Sequence, residues 1–156
     1  MHMRLFHFLT LPLLSLCNNI SKVSAPYGTW NLSVSGGFAA SGFRWQDMLA
    51  EFTYSEHIGA VVIPTITSEC NWFYDPRIPG YNPPPGTCND TSFGYDWPNG
   101  GTGVTNITLH QTVKDPEDGT KAVAVTGTSQ IEYRCGLNAG RTCAASVVVE
   151  AFEGSG

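Results

Sequence analysis

Residues 123–152 read VAVTGTSQIEYRCGLNAGRTCAASVVVEAF. Apolar side chains recur at every second position: Val123 and Val125, then Ile131, Tyr133 and Cys135, then Val147, Val149 and Ala151. A period of two is the spacing of a strand with one face buried. Gly136 to Thr142 (GLNAGRT) lies between Cys135 and Cys143 and reads as a hairpin loop closed by a disulfide. Val123–Val125 and Ile131–Cys135 are expected as two separate strands. Val148 and Phe152 make the second face of the last strand partly apolar, the pattern of a strand buried on both faces or lying at a subunit contact.

The same alternation extends outward along the chain. Trp30, Leu32 and Val34 alternate with Asn31, Ser33 and Ser35, and Ile107, Leu109 and Val113 share a face opposite Asn106, Thr108, His110 and Thr112. Phe43 to Tyr54 contains helix-like residues (WQDMLAEF), but Met48, Ala50, Phe52 and Tyr54 alternate, and in a β-rich chain the segment reads as a strand. Gly59 to Ile66 reads as a strand interrupted by Pro64, and Ser68 to Tyr74 as another. Residues 75–103 hold six Pro and six Gly and read as one long irregular segment. A loop of that length in a compact domain is usually functional or partly disordered. Asp115 to Lys121 reads as a hairpin turn, and Gly36-Gly37 and Gly100-Gly101 as turn glycines. About eight short strands without a linker or repeat predict an all-β fold, a single antiparallel β-barrel or β-sandwich over residues 26–156.

Residues 1–25 are set apart. Arg4 precedes an apolar run from Leu5 to Cys17 and a polar stretch to Ala25, the three-part shape of a secretory signal peptide. The run is too short for a stable bilayer span, so membrane insertion is not expected. Without this segment about 131 residues remain, with six basic and 13 acidic side chains, a net charge of −7 against −5 for the whole chain. Such a surface is a poor partner for nucleic acid. Cys17 leaves with the signal, and Cys70, Cys88, Cys135 and Cys143 remain. Four cysteines allow three connectivities. Cys70–Cys88 with Cys135–Cys143 is favoured, because each pair brackets a loop between predicted strands, and each closed loop is worth roughly 3 kcal/mol. Three sequons follow the signal, at Asn31, Asn89 and Asn106, which are glycosylation candidates on a eukaryotic secretory route.

No catalytic signature is present: G-x-S-x-G, HExxH and P-loop patterns are missing. The cysteine spacings of 18 and 8 lack nearby His, and the EF-hand spacing is absent, so neither a metal nor a cofactor is expected. His57, Glu69, His110 and Arg134 could supply acid, base and phosphate contact in a small ribonuclease, but no local motif ties them together. The aromatic residues are more suggestive. Trp72, Phe73 and Tyr74 lead into the Pro-rich segment, and Tyr81, Phe93, Tyr95 and Trp97 lie within it. Aromatic side chains on a loop surface stack on sugar rings or anchor a protein partner. Trp72, Tyr74, Tyr81, Tyr95 and Trp97 are therefore the candidate binding residues.

The segments YGTWNLSVS (27–35), SGFRWQDMLAEFTYS (41–55), SECNWFYDP (68–76), ITLHQTV (107–113) and 123–152 together resemble small secreted fungal proteins, the hypersensitive-response-inducing elicitors of plant-pathogenic fungi. More distantly they resemble the Alternaria major-allergen family of β-barrels. The strand–Cys–Gly-rich loop–Cys–strand motif near the C-terminus carries most of the likeness. The resemblance implies two disulfides paired in sequence order and an apoplastic protein that triggers plant defence and cell death without catalysis, by binding a plant host protein or a cell-wall component. The allergen family dimerises through an extra cysteine near its mature N-terminus; with Cys17 gone, a monomer or weak non-covalent oligomer is expected. A cell-wall carbohydrate-binding protein is the alternative reading, and a small ribonuclease or hydrolase a further one.

Overall fold

The computed structural model describes residues 26–55, 64–80, 87–97, 103–138 and 140–154, with no account of the side chains of residues 137, 138 and 140. Eight strands and no helix occur among them: β1 (Gly28–Phe38), β2 (Arg44–Tyr54), β3 (Ile66–Tyr74), β4 (Thr87–Cys88), β5 (Phe93–Asp96), β6 (Gly103–Lys114), β7 (Ala122–Asn138) and β8 (Gly140–Glu153). They form one antiparallel sheet in the order β4-β3-β2-β1-β8-β7-β6-β5, nearly closed into a barrel. β1 is the centre of the sheet and pairs along its whole length with β2 on one side and β8 on the other.

The period-two reading translates directly into burial. Trp30, Leu32 and Val34 of β1 face inward, joined by Met48, Ala50 and Phe52 of β2, Ile107 and Leu109 of β6, Val125 and Ile131 of β7, and Val149 and Ala151 of β8. Removing such side chains from water is the main driving term for the fold. Trp30 packs against Phe52 at 5.2 Å between ring centroids, and Phe52 against Tyr54 at 5.0 Å. The Tyr54 hydroxyl donates to the Lys114 carbonyl at 2.8 Å, which ties the ends of β2 and β6 together. Tyr27 stands edge-on to Tyr54, and burial, aided by Asp115 and Tyr54, pushes its phenol up to about 12.

Several expectations change. The two strands read from Val123–Val125 and Ile131–Cys135 are one continuous strand, β7. Gly36 and Gly37 are not in a turn: they lie inside β1, and the turn is Ala39–Phe43, closed by Gly42 at φ 86°. The segment 75–103 is not wholly irregular, since it contains β4 and β5. β8 is not covered on both faces: Val148 is 57% exposed. Most of the strand read from Gly59 to Ile66 lies outside the described residues, and Pro64 and Thr65 precede β3 rather than joining it. Gly100 and Gly101 also lie outside the described residues. Both disulfides are as expected: Cys70–Cys88 joins β3 to β4 and Cys135–Cys143 joins β7 to β8, each between directly paired residues. Such bonds are characteristic of oxidising compartments. Among the described residues no helix is long and apolar enough to cross a membrane.

The sheet is not closed by backbone pairing between β4 and β5. Side chains do that work. Gln111 of β6, 3% exposed, accepts from Trp30 Nε1 at 3.0 Å. Its amide nitrogen donates to Asp90 Oδ2 at 2.9 Å and to Ser68 Oγ of β3 at 3.3 Å. Ser68 in turn donates to Asp90 Oδ2 at 3.3 Å. Buried polar groups left without partners are expensive. Gln111→Leu keeps the bulk but strands the Trp30 indole and removes the shorter of the two hydrogen bonds to Asp90 Oδ2, and is expected to destabilise the fold by roughly 2–4 kcal/mol. Urea unfolding checks this: the midpoint should fall while the slope stays unchanged.

Candidate functional site

A cleft of about 1080 Å³ opens where β1 ends and β2 begins, and it follows the seam past β4 and β5. That is just above the roughly 300–1,000 Å³ typical of small-molecule sites. Its aromatic lining comes from Trp45 of β2, Trp72 of β3, Tyr95 of β5, Tyr133 of β7 and Trp97 just beyond β5. Its polar lining includes Arg44, Gln46, Asp90, Asp96 and His110.

The room at this end follows from two missing side chains. Gly36 and Gly37 are the penultimate residues of β1, and both are buried. A Cβ on Gly36 would strike the Tyr133 hydroxyl, and one on Gly37 would come within 2.7 Å of Trp45 Nε1. Glycine here permits the close approach of an aromatic side chain to the strand backbone. Tyr133 then meets Trp97 edge-on at 5.3 Å, an arrangement aromatic quadrupoles favour. The Trp97 Nε1 is buried and has no acceptor among the described residues. Burial pushes the Tyr95 and Tyr133 phenols above their ordinary value of 10.0, with Asp47 adding to the effect at Tyr133. The Arg44 guanidinium lies 5.4 Å from the Phe38 ring centroid, within cation–π range.

Trp72, Tyr95 and Trp97, expected from the sequence as binding residues, are thus brought together. Tyr74 shares the inward-facing parity of Trp72 on β3 but does not line the cleft. Tyr81 lies outside the described residues. Trp45, Tyr133 and Arg44 were missed. Counting back by twos from Met48 reaches Gln46 and Arg44, a signal that was available. Trp45 has the opposite parity, and finding it requires knowing that Gly37 is its partner across β1–β2.

The ribonuclease candidates are not gathered into one place. His110 lines the cleft and lies against Gly94. Glu69 borders a separate groove on the sheet's outer face with Ser33 and Leu49. Arg134 is paired with Glu132 at 2.9 Å, and His57 lies outside the described residues. Among the described residues no group of three or more His, Cys, Asp or Glu side chains could hold a metal ion. The three sequon residues Asn31, Asn89 and Asn106 are all exposed, although Asn89 Oδ1 accepts from the Glu69 amide at 2.8 Å. Comparisons with protein-family models, with curated proteins and with solved structures find no match.

Asp90 links the cleft to the seam. Burial alone would raise its carboxyl, but hydrogen bonds from Ser92, Gln111 and Ser68 outweigh that and hold it below the ordinary 3.8. A depressed folded-state pKa contributes stability above the unfolded value, and that stability is lost as pH falls through the folded one. Unfolding free energies of wild type and Asp90→Asn, compared from about pH 5 down to about pH 2.5, should show the steeper acid loss in wild type. The other depressed carboxylates, Asp75, Asp115, Asp118 and Glu132, are common to both proteins and cancel in the difference.

Proposed function

We propose that this chain is a secreted effector or elicitor that triggers plant defence and hypersensitive cell death by binding a host component in the mouth cleft, without catalysis. The observation that carries the reading is the convergence of Trp45, Trp72, Tyr95 and Trp97, from three separate stretches of sequence, on one concave surface. Concave sites lined by aromatic groups and a few polar ones are the usual form of a ligand-binding site. The signal-like N-terminus and the two disulfides support passage through a secretory route. The resemblance of residues 27–152 to fungal elicitors supports the biological setting, the plant apoplast.

Infiltration of the purified mature protein into leaves tests the reading, with cell death and the oxidative burst scored against dose. Trp72→Ala and Trp97→Ala should each require at least roughly tenfold more protein for the same response, because central aromatic anchors dominate binding energy. Val104→Ala, at a 65% exposed position outside the cleft, should leave the dose unchanged. Folding of each variant is checked by thermal unfolding. Unchanged potency of folded Trp72 and Trp97 variants overturns the cleft as the working surface, and no response across several hosts overturns the elicitor role.

A further inference from the structure

The charges of the molecule are unevenly spent. Six basic residues follow position 25 in a stretch of net charge −7. Arg77, Lys121 and Arg134 are engaged by Asp75, Asp115 and Glu132. Lys114 ends β6, beside the β6–β7 turn. The other two, Arg44 and Arg141, are the partners of Phe38 on either side, at the last residue of β1. Neither has a carboxylate partner among the described residues, and Arg44 lines the cleft. The acids of the cleft are arranged differently. Asp90 already accepts from Gln111, Ser68 and the Ser92 amide. Asp96, on β5 across the seam from Arg44, is exposed.

We infer that the cleft takes an acidic oligosaccharide, a chain of sugars bearing carboxylates such as a uronic-acid oligomer. The inference rests on the reading of the cleft as the host-ligand site and names the class of that ligand. Flat sugar faces lie against the indoles of Trp45 and Trp72, for which aromatic rings are the suited surface. A sugar carboxylate meets Arg44, whose planar fork suits a bidentate contact, with Arg141 adding charge at the rim. Sugar hydroxyls donate to Asp96. The size of the cleft suits an oligomer better than a single ring. Arg44 and Arg141, without a carboxylate partner among the described residues, give an otherwise acidic protein a cationic contact for a carboxylate at this place.

The test is calorimetric titration of the secreted, disulfide-bonded chain with a galacturonic-acid oligomer and with a neutral glucose oligomer of the same length. The acidic oligomer should bind at least roughly tenfold more tightly, and less tightly as salt is raised. Arg44→Gln should weaken that binding by roughly tenfold or more, the usual effect of losing a charge-assisted hydrogen bond. Arg134→Gln, at a residue already paired with Glu132, should not. Equal binding of the neutral oligomer overturns the inference, as does acidic binding indifferent to Arg44. If neither sugar binds while Trp72→Ala still abolishes cell death in leaves, the sugar assignment is wrong and a protein partner occupies the cleft, with the elicitor reading intact. If sugar binding depends on Arg44 but cell death is unaffected by Trp72→Ala, the sugar assignment stands and the cleft is not the surface that triggers cell death.

Discussion

The amide of Gln111 holds the two halves of the sheet in one barrel. Trp30 comes from the central strand, Ser68 from β3 on one flank, Asp90 from the turn after β4, and Gln111 itself from β6 on the other flank. An amide suits this place because it accepts at one end and donates twice at the other. An apolar residue would fill the space, leave the Trp30 indole unanswered and leave Asp90 Oδ2 with Ser68 alone. A carboxylate would meet the like charge of Asp90, and an ammonium could not accept from the Trp30 indole. In a sheet whose edge strands are two and four residues long, backbone pairing across the seam is replaced by this side-chain bridge.

The bridge and the cleft belong to one piece of architecture. Asp90 has one oxygen in the bridge and the other on the Ser92 amide, which sets the approach to β5. β5 then presents Tyr95 and Asp96 to the cleft, with Trp97 directly after. On the facing side, Gly36 and Gly37 remove the side chains that would otherwise plug the end of the barrel. The barrel is therefore filled by Trp30, Phe52 and their neighbours over most of its length and left open where β1 runs out.

Strand identity was legible because each strand has a dry and a wet face, and the alternation of Trp30, Leu32 and Val34 or of Met48, Ala50 and Phe52 records it. What was not legible depends on which strands become neighbours. Gly36-Gly37 looks like a turn until β1 is known to continue to Phe38. Ile131 and Val125 look like two strands because Gly127, Thr128, Ser129 and Gln130 interrupt the apolar rhythm, yet backbone pairing with β6 carries the strand through them. The site was half legible. Local aromatic density pointed to Trp72, Tyr95 and Trp97. Trp45 and Tyr133 join them only through register and barrel closure, which no local pattern encodes. The seam bridge was invisible for the same reason: its members are separated by between 21 and 81 positions.

The positions of the two disulfides follow from this arrangement. Cys135–Cys143 staples a hairpin whose strands are adjacent in sequence and already aligned by a short connection. Cys70–Cys88 has a harder task. β4 offers only two backbone pairings to β3, too few to hold a strand at the edge of a sheet against its conformational entropy. The segment from Asp75 to Gly86 that leads to it is rich in proline and glycine. Without the covalent link, Asp90 would lose the anchor two residues before it, and with it the fixed carboxylate on which Gln111 depends. The bond that marks an oxidising compartment is thus the same one that positions Cys88, Asp90 and Thr91 on the wall of the cleft. Barrel closure and site are coupled through Cys70–Cys88, which ties β4, and with it Asp90, to β3.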